Sequence, residues 1–303
     1  MRGSMNDARV RLRYLDETVG LLFPGSGGRR PYSVLPHPLL PRRLAPRAWW
    51  HPGRKVMVAS DEDTIETYLS EVLSAPVRIV LHVRPALRAN RKPILEARAP
   101  DGLAAFVKIG DTDRSRELIA NEARALDLLA GVPLKTVVPP AVLHHGSWRG
   151  LSVLALTPLP VRRGRIPEDL LVGAVGEISR ISGHGSAWHG DFSPWNIARG
   201  ADGRLLVWDW ERFATGVPLG FDAVHHFFQR ALRRTRPATA ARACVAQALP
   251  ILAPFGLSAA EARLTAIRYL IALADRHTAD GHAPLGPAEH WLNPAVDFEE
   301  ALT

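Results

Sequence analysis

The stretch HGDFSPWNIA, residues 189–198, places a histidine, an aspartate and an asparagine close together among apolar residues. Phe192, Pro194 and Trp195 are typical of a core or of the wall of a site, whereas a core strand would avoid Asp and Asn. A surface loop would need no Phe or Trp. The composition therefore predicts a rigid loop that presents polar atoms to a ligand.

His189, Asp191 and Asn196 have the spacing H-x-D-x-x-x-x-N, which is that of the catalytic loop of kinases. Asp209 follows at the end of a predicted strand in LLVWDWE, where the kinase pattern has its metal-binding aspartate. Phosphoryl transfer needs a carboxylate that orients the attacking hydroxyl and accepts its proton. It also needs oxygen ligands for Mg²⁺, which is a hard cation. The pattern therefore favours phosphoryl transfer supported by Mg²⁺.

Lys108 lies in the strand-like stretch AAFVKIG, although the chain contains only four lysines. A charge there is out of place unless it has a partner, so we interpret Lys108 as a cation that meets phosphate oxygens in a cleft. A lysine at the solvent edge of the strand is the alternative. In the predicted helix 114–130, the i, i+3, i+4 spacing of apolar residues places Glu122 on the buried stripe and Glu117 on the polar side. A buried carboxylate is costly unless it is paired, and Lys108 is the candidate partner.

The chain resembles the aminoglycoside phosphotransferase and choline kinase family, which has the protein-kinase-like fold. The resemblance rests on FVKIG, NEARALDLL, HGDFSPWNI and VWDWERF, which occur in the family's order and spacing within residues 76–230. It implies an α+β, bilobal protein-kinase-like fold, with a small antiparallel-sheet N-lobe and a larger, mostly helical C-lobe. The triplet HGD, in place of the HRD of protein kinases, points to the small-molecule branch.

For the chemistry, the resemblance implies that Asp191 is the catalytic base and that His189 supports its loop. Asn196 and Asp209 become the Mg²⁺ ligands. Asp222, which follows the PLG turn, resembles an acidic residue that braces the catalytic loop from behind in this family.

For the nucleotide, the resemblance implies that Lys108 contacts a phosphate of ATP and that Glu122 is its ion-pair partner. Adenine is expected to stack against the predicted strand Leu151–Leu156. The same resemblance implies hydrogen bonds from adenine to the backbone near Ala155 to Thr157.

The phosphate-covering loop departs from the kinase pattern, because no G-x-G-x-x-G sequence is present. The loop between the first two strands predicted for the N-lobe reads RPALRANRKP instead. Asn90, Arg91 and Lys92 are therefore candidates for direct contact with phosphate. Solvated loop charges without a ligand are an equal alternative.

Hydrophobic periodicity and turn residues divide the chain into three parts. Residues 1–75 are predicted to be a basic extension rich in Pro, Gly and Arg, irregular over 20–54 and with a short helix over 61–73. Residues 76–157 are predicted to form the nucleotide-binding N-lobe. Its predicted strands are Val77–Val83, Pro93–Ala97, Leu103–Ile109 and Leu151–Leu156, with an Asp101-Gly102 turn. Residues 158–303 are predicted to form the catalytic and acceptor-binding helical C-lobe.

Composition argues against several classes of protein. No apolar run approaches the ~20 residues that span a bilayer, so we expect no membrane segment, and we expect residues 1–4 before Met5 to be an added leader. The single cysteine, Cys244, excludes an internal disulfide and fits a reducing, cytoplasmic location.

The net charge of +8 is concentrated in residues 1–60, which hold eleven Lys and Arg against three Asp and Glu. This segment is either a positive surface without a defined partner or an anion-binding arm. No zinc-finger, RRM-like or helix-turn-helix pattern is evident, so we expect no nucleic-acid partner.

Other kinds of site fit the sequence less well. A metal-dependent phosphoesterase would need more ligands than His189 and Asp191, and the adjacent pairs 144–145 and 225–226 do not face one way on a strand or helix. The P-loop sequence G-x-x-x-x-G-K-[ST] is absent. A catalytically silent nucleotide-binding module stays open, although the positions for chemistry all hold competent residues.

The acceptor of the phosphoryl group is the main open question, together with the oligomeric state. Residues 214–303 hold eight Asp and Glu against eight Lys and Arg, which argues against a dedicated site for polycations such as aminoglycosides. A few acids could still cluster: Asp280, Glu289, Asp297 and Glu299. A small neutral or anionic hydroxyl compound, such as a sugar, a glycan precursor or a natural-product intermediate, fits better. The alternative is a Ser or Thr hydroxyl on a peptide that the N-terminal segment docks.

Overall fold

The computed structural model describes residues 2–37, 40–47, 54–60, 63–83, 91–162, 164–181, 185–281 and 285–300. The chain divides into two units, of which the first contains Met1–Ile119 and Ala141–Pro158. The second contains Ala120–Pro140 and Leu159–Thr303.

The first unit is built on one sheet with helices packed against it. Its helices are α1 (Arg2–Leu22), α2 (Ile65–Val72) and the first part of α3 (Asp113–Ala130). Its strands are β1 (Arg29–His37), β2 (Leu40–Pro46), β3 (Arg54–Ala59), β4 (Arg78–Val83), β5 (Ile94–Ala99), β6 (Gly102–Gly110), β8 (Val142–Trp148) and β9 (Leu151–Leu156). These eight strands pair antiparallel throughout, in the order β3-β1-β2-β4-β5-β6-β9-β8. Gly102, with φ 136°, closes the β5–β6 hairpin at the predicted turn, in a conformation that favours glycine.

The N-terminal segment is part of the core of this unit. Leu15 and Leu22 of α1 lie in the same buried cluster as Tyr32 of β1 and as the strands of the predicted N-lobe. The buried Glu66 of α2 accepts hydrogen bonds from the guanidinium of Arg30 at 2.5 Å, from the hydroxyl of Tyr32, and from the N–H of Ile79 at 2.8 Å. These bonds join β1, α2 and β4, so the first strands and the later ones form one folded unit.

Two predictions for residues 1–75 are therefore wrong. Residues 20–54 are not irregular over their described part, because β1 and β2 lie there and β3 begins at residue 54. The segment is not an appended extension either, because its strands share a sheet with β4–β6. The physical reason is alternation: Tyr32 and Val34 are buried at i, i+2, and this burial outweighs the prolines of β1.

The second unit is mainly helical. Besides the end of α3, it contains the helices α4 (Glu168–Ser179), α5 (Phe221–Leu232), α6 (Pro237–Ala246), α7 (Ala248–Leu252), α8 (Ala259–Ala279) and α9 (Asn293–Glu300). Its short strands are β7 (Val137–Val138), β10 (Val161–Arg162), β11 (Ser186–Trp188), β12 (Ile197–Gly200), β13 (Leu205–Val207) and β14 (Ala214–Val217). Tyr269 of α8 is fully buried at the centre of its core, together with Phe228 and Trp291.

One carboxylate anchors the strands that carry the catalytic-looking loop. Glu177 of α4 accepts the N–H groups of Lys135, Thr136 and Val137 at 2.6–3.1 Å. Residues 137–138 form β7, which pairs in parallel with β13, and β13 pairs antiparallel with β12. Glu177 therefore fixes the edge of the small sheet β10-β12-β13-β7, whose β12–β13 hairpin leads into and out of the site.

Among the described residues, no single helix is both long and apolar enough to cross a membrane. One pair of helices, Pro237–Ala246 with Ala248–Phe255, passes by length and composition but is bent by 70°. Residues of α6 and α7, including Ala240, Cys244 and Leu252, lie in the buried core of the second unit.

Candidate active site

The loop 189–196 connects β11 to β12 in the second unit. Phe192 and Ser193 are completely buried, so the loop is packed against the protein and does not extend into solvent. Trp195 differs from our expectation of core or wall material, because 53% of its surface is exposed. The buried residues of the loop therefore hold its backbone against the protein. A loop that presents polar atoms in fixed positions needs such support.

His189 is fully buried, and its two ring nitrogens have different partners. The N–H of Asp191 donates to Nδ1 at 3.1 Å, so Nδ1 is unprotonated. Nε2 therefore carries the proton of the neutral ring and donates it to the carbonyl of Trp208 at 3.1 Å. Burial lowers the pKa of His189 to about 4, although nearby Asp191 and Asp209 act in the opposite direction. The neutral ring ties the loop to Trp208, which directly follows β13. Support of a catalytic loop by His189 stays a prediction.

Asp222, at the start of α5, holds the same loop through its backbone. Its carboxylate accepts the N–H of His189 at 2.7 Å and the N–H of Gly190 at 3.2 Å. This is the bracing contact that the family resemblance implies. Burial raises the pKa of Asp222 to about 7, against the effect of the two backbone N–H groups. The carboxyl group is only 2% exposed, so it fixes the loop from inside the protein.

Asp191 presents a carboxylate whose two oxygens are both hydrogen-bonded. Oδ1 accepts the hydroxyl of Ser193 and faces Nε2 of His225 at 2.9 Å. Oδ2 accepts Nδ2 of Asn196 at 3.0 Å. Burial acts to raise the pKa of Asp191, but the hydrogen bond from His225, its charge interaction and the Ser193 bond outweigh burial and hold the pKa well below its usual range. The group is therefore a carboxylate at neutral pH, as a proton acceptor must be.

Asn196 and Asp209 come from neighbouring ends of the β12–β13 hairpin. Ile197 pairs with Val207, and the N–H of Trp208 donates to the carbonyl of Asn196 at 3.1 Å. The side-chain nitrogen of Asn196 donates to the carbonyl and to Oδ2 of Asp191, both at 3.0 Å, so its amide oxygen is the atom that could serve as a metal ligand. Asp209 has left-handed backbone angles, φ 73° and ψ 52°, which a non-glycine residue adopts mainly at turns and functional sites.

A cluster of carboxylates surrounds Asp209. Oxygen atoms of Glu122, Asp209 and Glu211 lie within 4.8 Å of one another. These three carboxylates form an all-oxygen donor set, which is the type that Mg²⁺ prefers. The amide oxygen of Asn196 as a further ligand stays a prediction. The described residues therefore fit the predicted Mg²⁺ site. Glu211 was missed by the sequence argument, although its place two residues after Asp209, the predicted metal ligand, was a usable signal.

Glu122 is 0% exposed, which confirms the burial predicted from helical periodicity. Its Oε1 accepts the N–H of Trp210 at 3.2 Å, and the neighbouring Asn121 donates to the carbonyls of Glu211 and Phe213. These contacts place the second part of α3 beside the segment that follows Asp209.

Lys108 lies near the C-terminal end of β6 in the first unit, paired with Ile94 of β5 on one side and Leu154 of β9 on the other. It is 8% exposed, so the alternative of a lysine at the solvent edge is wrong. The ion pair between Lys108 and Glu122 stays a prediction.

The other residues predicted for nucleotide binding also belong to the first unit. Asn90 lies outside the described residues. The guanidinium of Arg91 lies over the ring of Tyr14, 4.9 Å from its centroid, and 3.7 Å from the carboxylate of Glu17. Arg91 is thus in contact with α1, a partner that the sequence argument did not foresee. A phosphate contact of Arg91 or of Lys92 stays a prediction.

The predicted adenine contacts lie at the end of β9. Ala155 is fully buried between Val107 of β6 and His144 of β8. The N–H of Thr157 donates to the carbonyl of Ala141 at 3.0 Å, and the Thr157 hydroxyl accepts the N–H of Ala141 at 2.8 Å. The backbone N–H of Thr157 is therefore engaged within the protein, and hydrogen bonds from adenine to the backbone near Ala155 to Thr157 stay a prediction.

Besides Glu211, two residues at the site escaped sequence reasoning. His225 contacts Asp191, and the guanidinium of Arg276 donates to the carbonyl of Gly190 and lies 5.8 Å from the ring centroid of Trp188. His225 follows Asp222 by three residues on α5, so helical spacing alone could have placed both on the loop side. No comparable signal exists for Arg276, which comes from the last turn of α8.

Comparison with known proteins identifies the fold. No protein-family model matches the chain, and no curated protein sequence matches it. Among solved structures, a protein named as a fructosamine-3-kinase from Haemophilus somnus 129PT is similar over 77% of this chain and 96% of its own, with a TM-score of 0.51 and 14% identity.

Two further similar structures have lower scores. Monomeric WbdD has a TM-score of 0.40 at 18% identity, over 73% of this chain and 57% of its own. The PknI kinase domain of Mycobacterium tuberculosis has a TM-score of 0.35 at 13% identity, over 59% of this chain and 90% of its own. The score of the first structure, above 0.5, carries the assignment. The chain has an α+β, protein-kinase-like fold, and the predicted fold class is confirmed.

Proposed function

We propose that the chain is an ATP- and Mg²⁺-dependent phosphotransferase that acts on a hydroxyl group of a small molecule, on the pattern of the aminoglycoside phosphotransferase and choline kinase family. The observation that carries the proposal is the state of Asp191. This carboxylate is held by Ser193, His225 and Asn196, and its pKa is well below its usual range. A fixed, ionised carboxylate is what the orientation of an attacking hydroxyl requires.

In this proposal the acceptor hydroxyl gives its proton to Asp191 as its oxygen bonds to the γ-phosphorus. The bond between that phosphorus and the oxygen bridging to the β-phosphate breaks, and ADP leaves with the electron pair. His189 and Asp222 keep the backbone of the loop in place while this happens. Rigid positioning is the main contribution that a protein makes to this reaction, because its transition state is loose.

Asn196 and Asp209 would hold Mg²⁺, with Glu211 as a further oxygen ligand, because its carboxylate belongs to the same cluster as that of Asp209. When bound, the ion neutralises charge on the β- and γ-phosphates. Lys108 would contact a phosphate, with Glu122 as its ion-pair partner.

The acceptor is a neutral or anionic hydroxyl compound rather than a polycation. Asp280, one of the acids that could have gathered around a polycation, forms an ion pair with Arg212, and both side chains are largely buried. Glu289 is exposed in a short helical turn. Of the four acids considered, the side chains of Asp297 and Glu299 lie outside the described residues. The described acids thus offer no support for a polycation site.

The test combines an acceptor screen with two aspartate variants. The chain is incubated with ATP and Mg²⁺ in a metabolite extract and in a peptide mixture, and products are detected by a gain of one phosphoryl group in mass. We expect a phosphorylated metabolite. A phosphorylated peptide would replace the proposed acceptor by the alternative one. If no product forms although the chain binds ATP tightly, the chain is a silent nucleotide-binding module.

Asp191→Ala and Asp209→Ala separate the two roles at this site. Asp191→Ala is expected to bind Mg·ATP normally and to lose about 10²–10⁴-fold in turnover, nearer the lower figure because a loose transition state asks little of a base. Asp209→Ala is expected to lose the tightening of ATP binding by Mg²⁺ as well. Asp202→Ala, an exposed residue in the β12–β13 turn, is the matched control. The opposite pattern for the two aspartates would contradict the kinase register.

A further inference from the structure

A chain of hydrogen bonds runs from α8 through α5 to the predicted base. The hydroxyl of Tyr269 lies 3.0 Å from Nδ1 of His225, and Nε2 of His225 lies 2.9 Å from Oδ1 of Asp191. Tyr269 and His225 are both 0% exposed. Ser193 is also part of the chain, because its hydroxyl donates to Oδ1 and lies 3.1 Å from Nε2 of His225.

The protons in this chain can be assigned from the partners. Oδ1 of an ionised carboxylate only accepts, so Nε2 of His225 must carry the proton between them. Nδ1 of the neutral ring is then an acceptor, and the hydroxyl of Tyr269 donates to it. Burial raises the pKa of Tyr269 well above its ordinary value, so this hydroxyl keeps its proton. Burial also lowers the pKa of His225, although the hydrogen bond to Asp191 acts in the opposite direction.

These hydrogen bonds distinguish the oxygen of Asp191 that is tied to the protein from the one that is available to the acceptor hydroxyl. Oδ1 receives two donors, from Ser193 and from His225, and is thereby tied to the interior of the second unit. Oδ2 receives one side-chain donor, the amide nitrogen of the buried Asn196, and so keeps more of its capacity to accept a further hydrogen bond than Oδ1 does. Rotation of the carboxylate about its Cβ–Cγ bond would break both bonds to Oδ1.

We propose that His225, held in its Nε2–H form by Tyr269, is a positioning residue that orients Asp191 so that Oδ2 receives the proton of the acceptor hydroxyl. This inference rests on the proposed function. The acceptor proton moves to Oδ2 as the new O–P bond forms and ADP leaves. His225 keeps its proton throughout, because Nδ1 is occupied by Tyr269 and cannot take part in a relay.

The first measurement tests the proton assignment without any acceptor. Nitrogen-15 NMR of the histidine rings in the full chain distinguishes the Nε2–H tautomer, the Nδ1–H tautomer and the imidazolium. We expect His225 to be Nε2–H in the wild type, with its signals assigned by comparison with His225→Gln. In Tyr269→Phe the Nδ1 signal is expected to shift because its donor is lost. A wild-type Nδ1–H or imidazolium form at neutral pH overturns the inference.

The second measurement tests the effect on turnover. Tyr269→Phe is expected to lower kcat about three- to tenfold and to leave the KM for ATP unchanged, because it removes one hydrogen bond to the positioning residue. His225→Leu is expected to lower kcat further. His225→Gln, whose side-chain amide can still donate to Oδ1, is expected to recover part of that loss. Tyr68→Phe is the matched control, because it removes a similar Tyr–His bond, 2.7 Å to His144, in the first unit.

The outcomes separate the two proposals. Equal kcat in His225→Gln and His225→Leu, both still folded by thermal melting, would show that the donor to Oδ1 has no role and would overturn the inference alone. A rise in the KM for ATP without a change in kcat in the His225 variants would also overturn the inference alone. A wild-type chain with no phosphoryl transfer to any acceptor would refute the proposed function, and the role of His225 would fall with it.

Discussion

Asp222→Asn is expected to change how the stability of the chain depends on pH. The carboxyl group of Asp222 is buried, and burial raises its pKa to about 7 although the N–H groups of His189 and Gly190 donate to it. In the unfolded chain the pKa returns to about 3.9. Between about pH 4 and pH 7 the folded chain therefore binds a proton here that the unfolded chain has lost. The contribution of this group to stability is complete below that window and falls as pH rises through it.

The size of the effect follows from linkage. One proton of difference changes the free energy of unfolding by about 1.4 kcal/mol per pH unit. Asparagine has nearly the same size as aspartate and does not titrate. The free energy of unfolding of the wild type minus that of Asp222→Asn therefore isolates the contribution of the carboxyl group. We expect that difference to fall by roughly 2–3 kcal/mol between pH 5 and pH 7 and to be level above about pH 7.5.

Urea unfolding at several pH values, followed by tryptophan fluorescence, measures this difference. Asp202→Asn is the control, because this exposed carboxylate pairs with Arg204, which lowers its pKa, and it is ionised in both states across the range. A difference between wild type and Asp222→Asn that is constant, or that grows with pH, would refute the reasoning. It would mean that the two backbone hydrogen bonds outweigh burial at this carboxyl group.

Three further predictions concern the two units. Lys108→Met should fold and lose most of its kcat/KM for ATP, and Glu122→Gln should show a milder loss. A wild-type kcat/KM in Lys108→Met would show that β6 does not have the phosphate-binding role assigned to it. Glu177→Ala leaves three backbone N–H groups without their acceptor. Because the N–H of Lys135 is exposed and can bond to water, the free energy of unfolding should fall by roughly 2–4 kcal/mol. The exposed Glu168→Ala on the same helix should cost less than about 1 kcal/mol, and equal values in urea unfolding would contradict the anchoring role of Glu177. Deletion of residues 5–60 should unfold the first unit, because it removes α1 and β1–β3, and a chain that keeps its hydrogen-exchange protection in β4–β6 would disprove this.

The catalytic-looking loop could be predicted because its spacing is set by bonds within the loop itself. The N–H of Ser193 donates to the carbonyl of Asp191 at 2.7 Å, and the N–H of Asn196 donates to the carbonyl of Ser193 at 2.9 Å. The side chain of Asn196 then returns to Asp191. An inserted residue would break this closed set of bonds, so the number of residues between Asp191 and Asn196 carries structural information. Burial of Glu122 was predictable for a similar reason, because helical periodicity is local.

The N-terminal strands could not be predicted, because composition and burial pointed in opposite directions. The segment 20–54 is rich in Pro, Gly and Arg, and such composition is typical of irregular structure. Its charges become compatible with a sheet only through partners distant in sequence, as in the bond from Arg30 to Glu66. The free energy that orders β1 comes from the burial of Tyr32 and Val34 against helices and strands, a tertiary effect that overrides local preference.

The support of Asp191 by His225 was hidden for a different reason. His225 and its neighbour His226 were judged as a pair of metal ligands, and as such they face different ways on α5. The structure gives them separate partners: His225 meets Asp191, and Nδ1 of His226 donates to the carbonyl of Phe192 at 3.2 Å. Two adjacent residues on a helix point about 100° apart, so they can hold two points of one loop. The spacing that argues against a metal site is therefore the spacing that suits a helix bracing the loop 189–196, together with Asp222 one turn earlier.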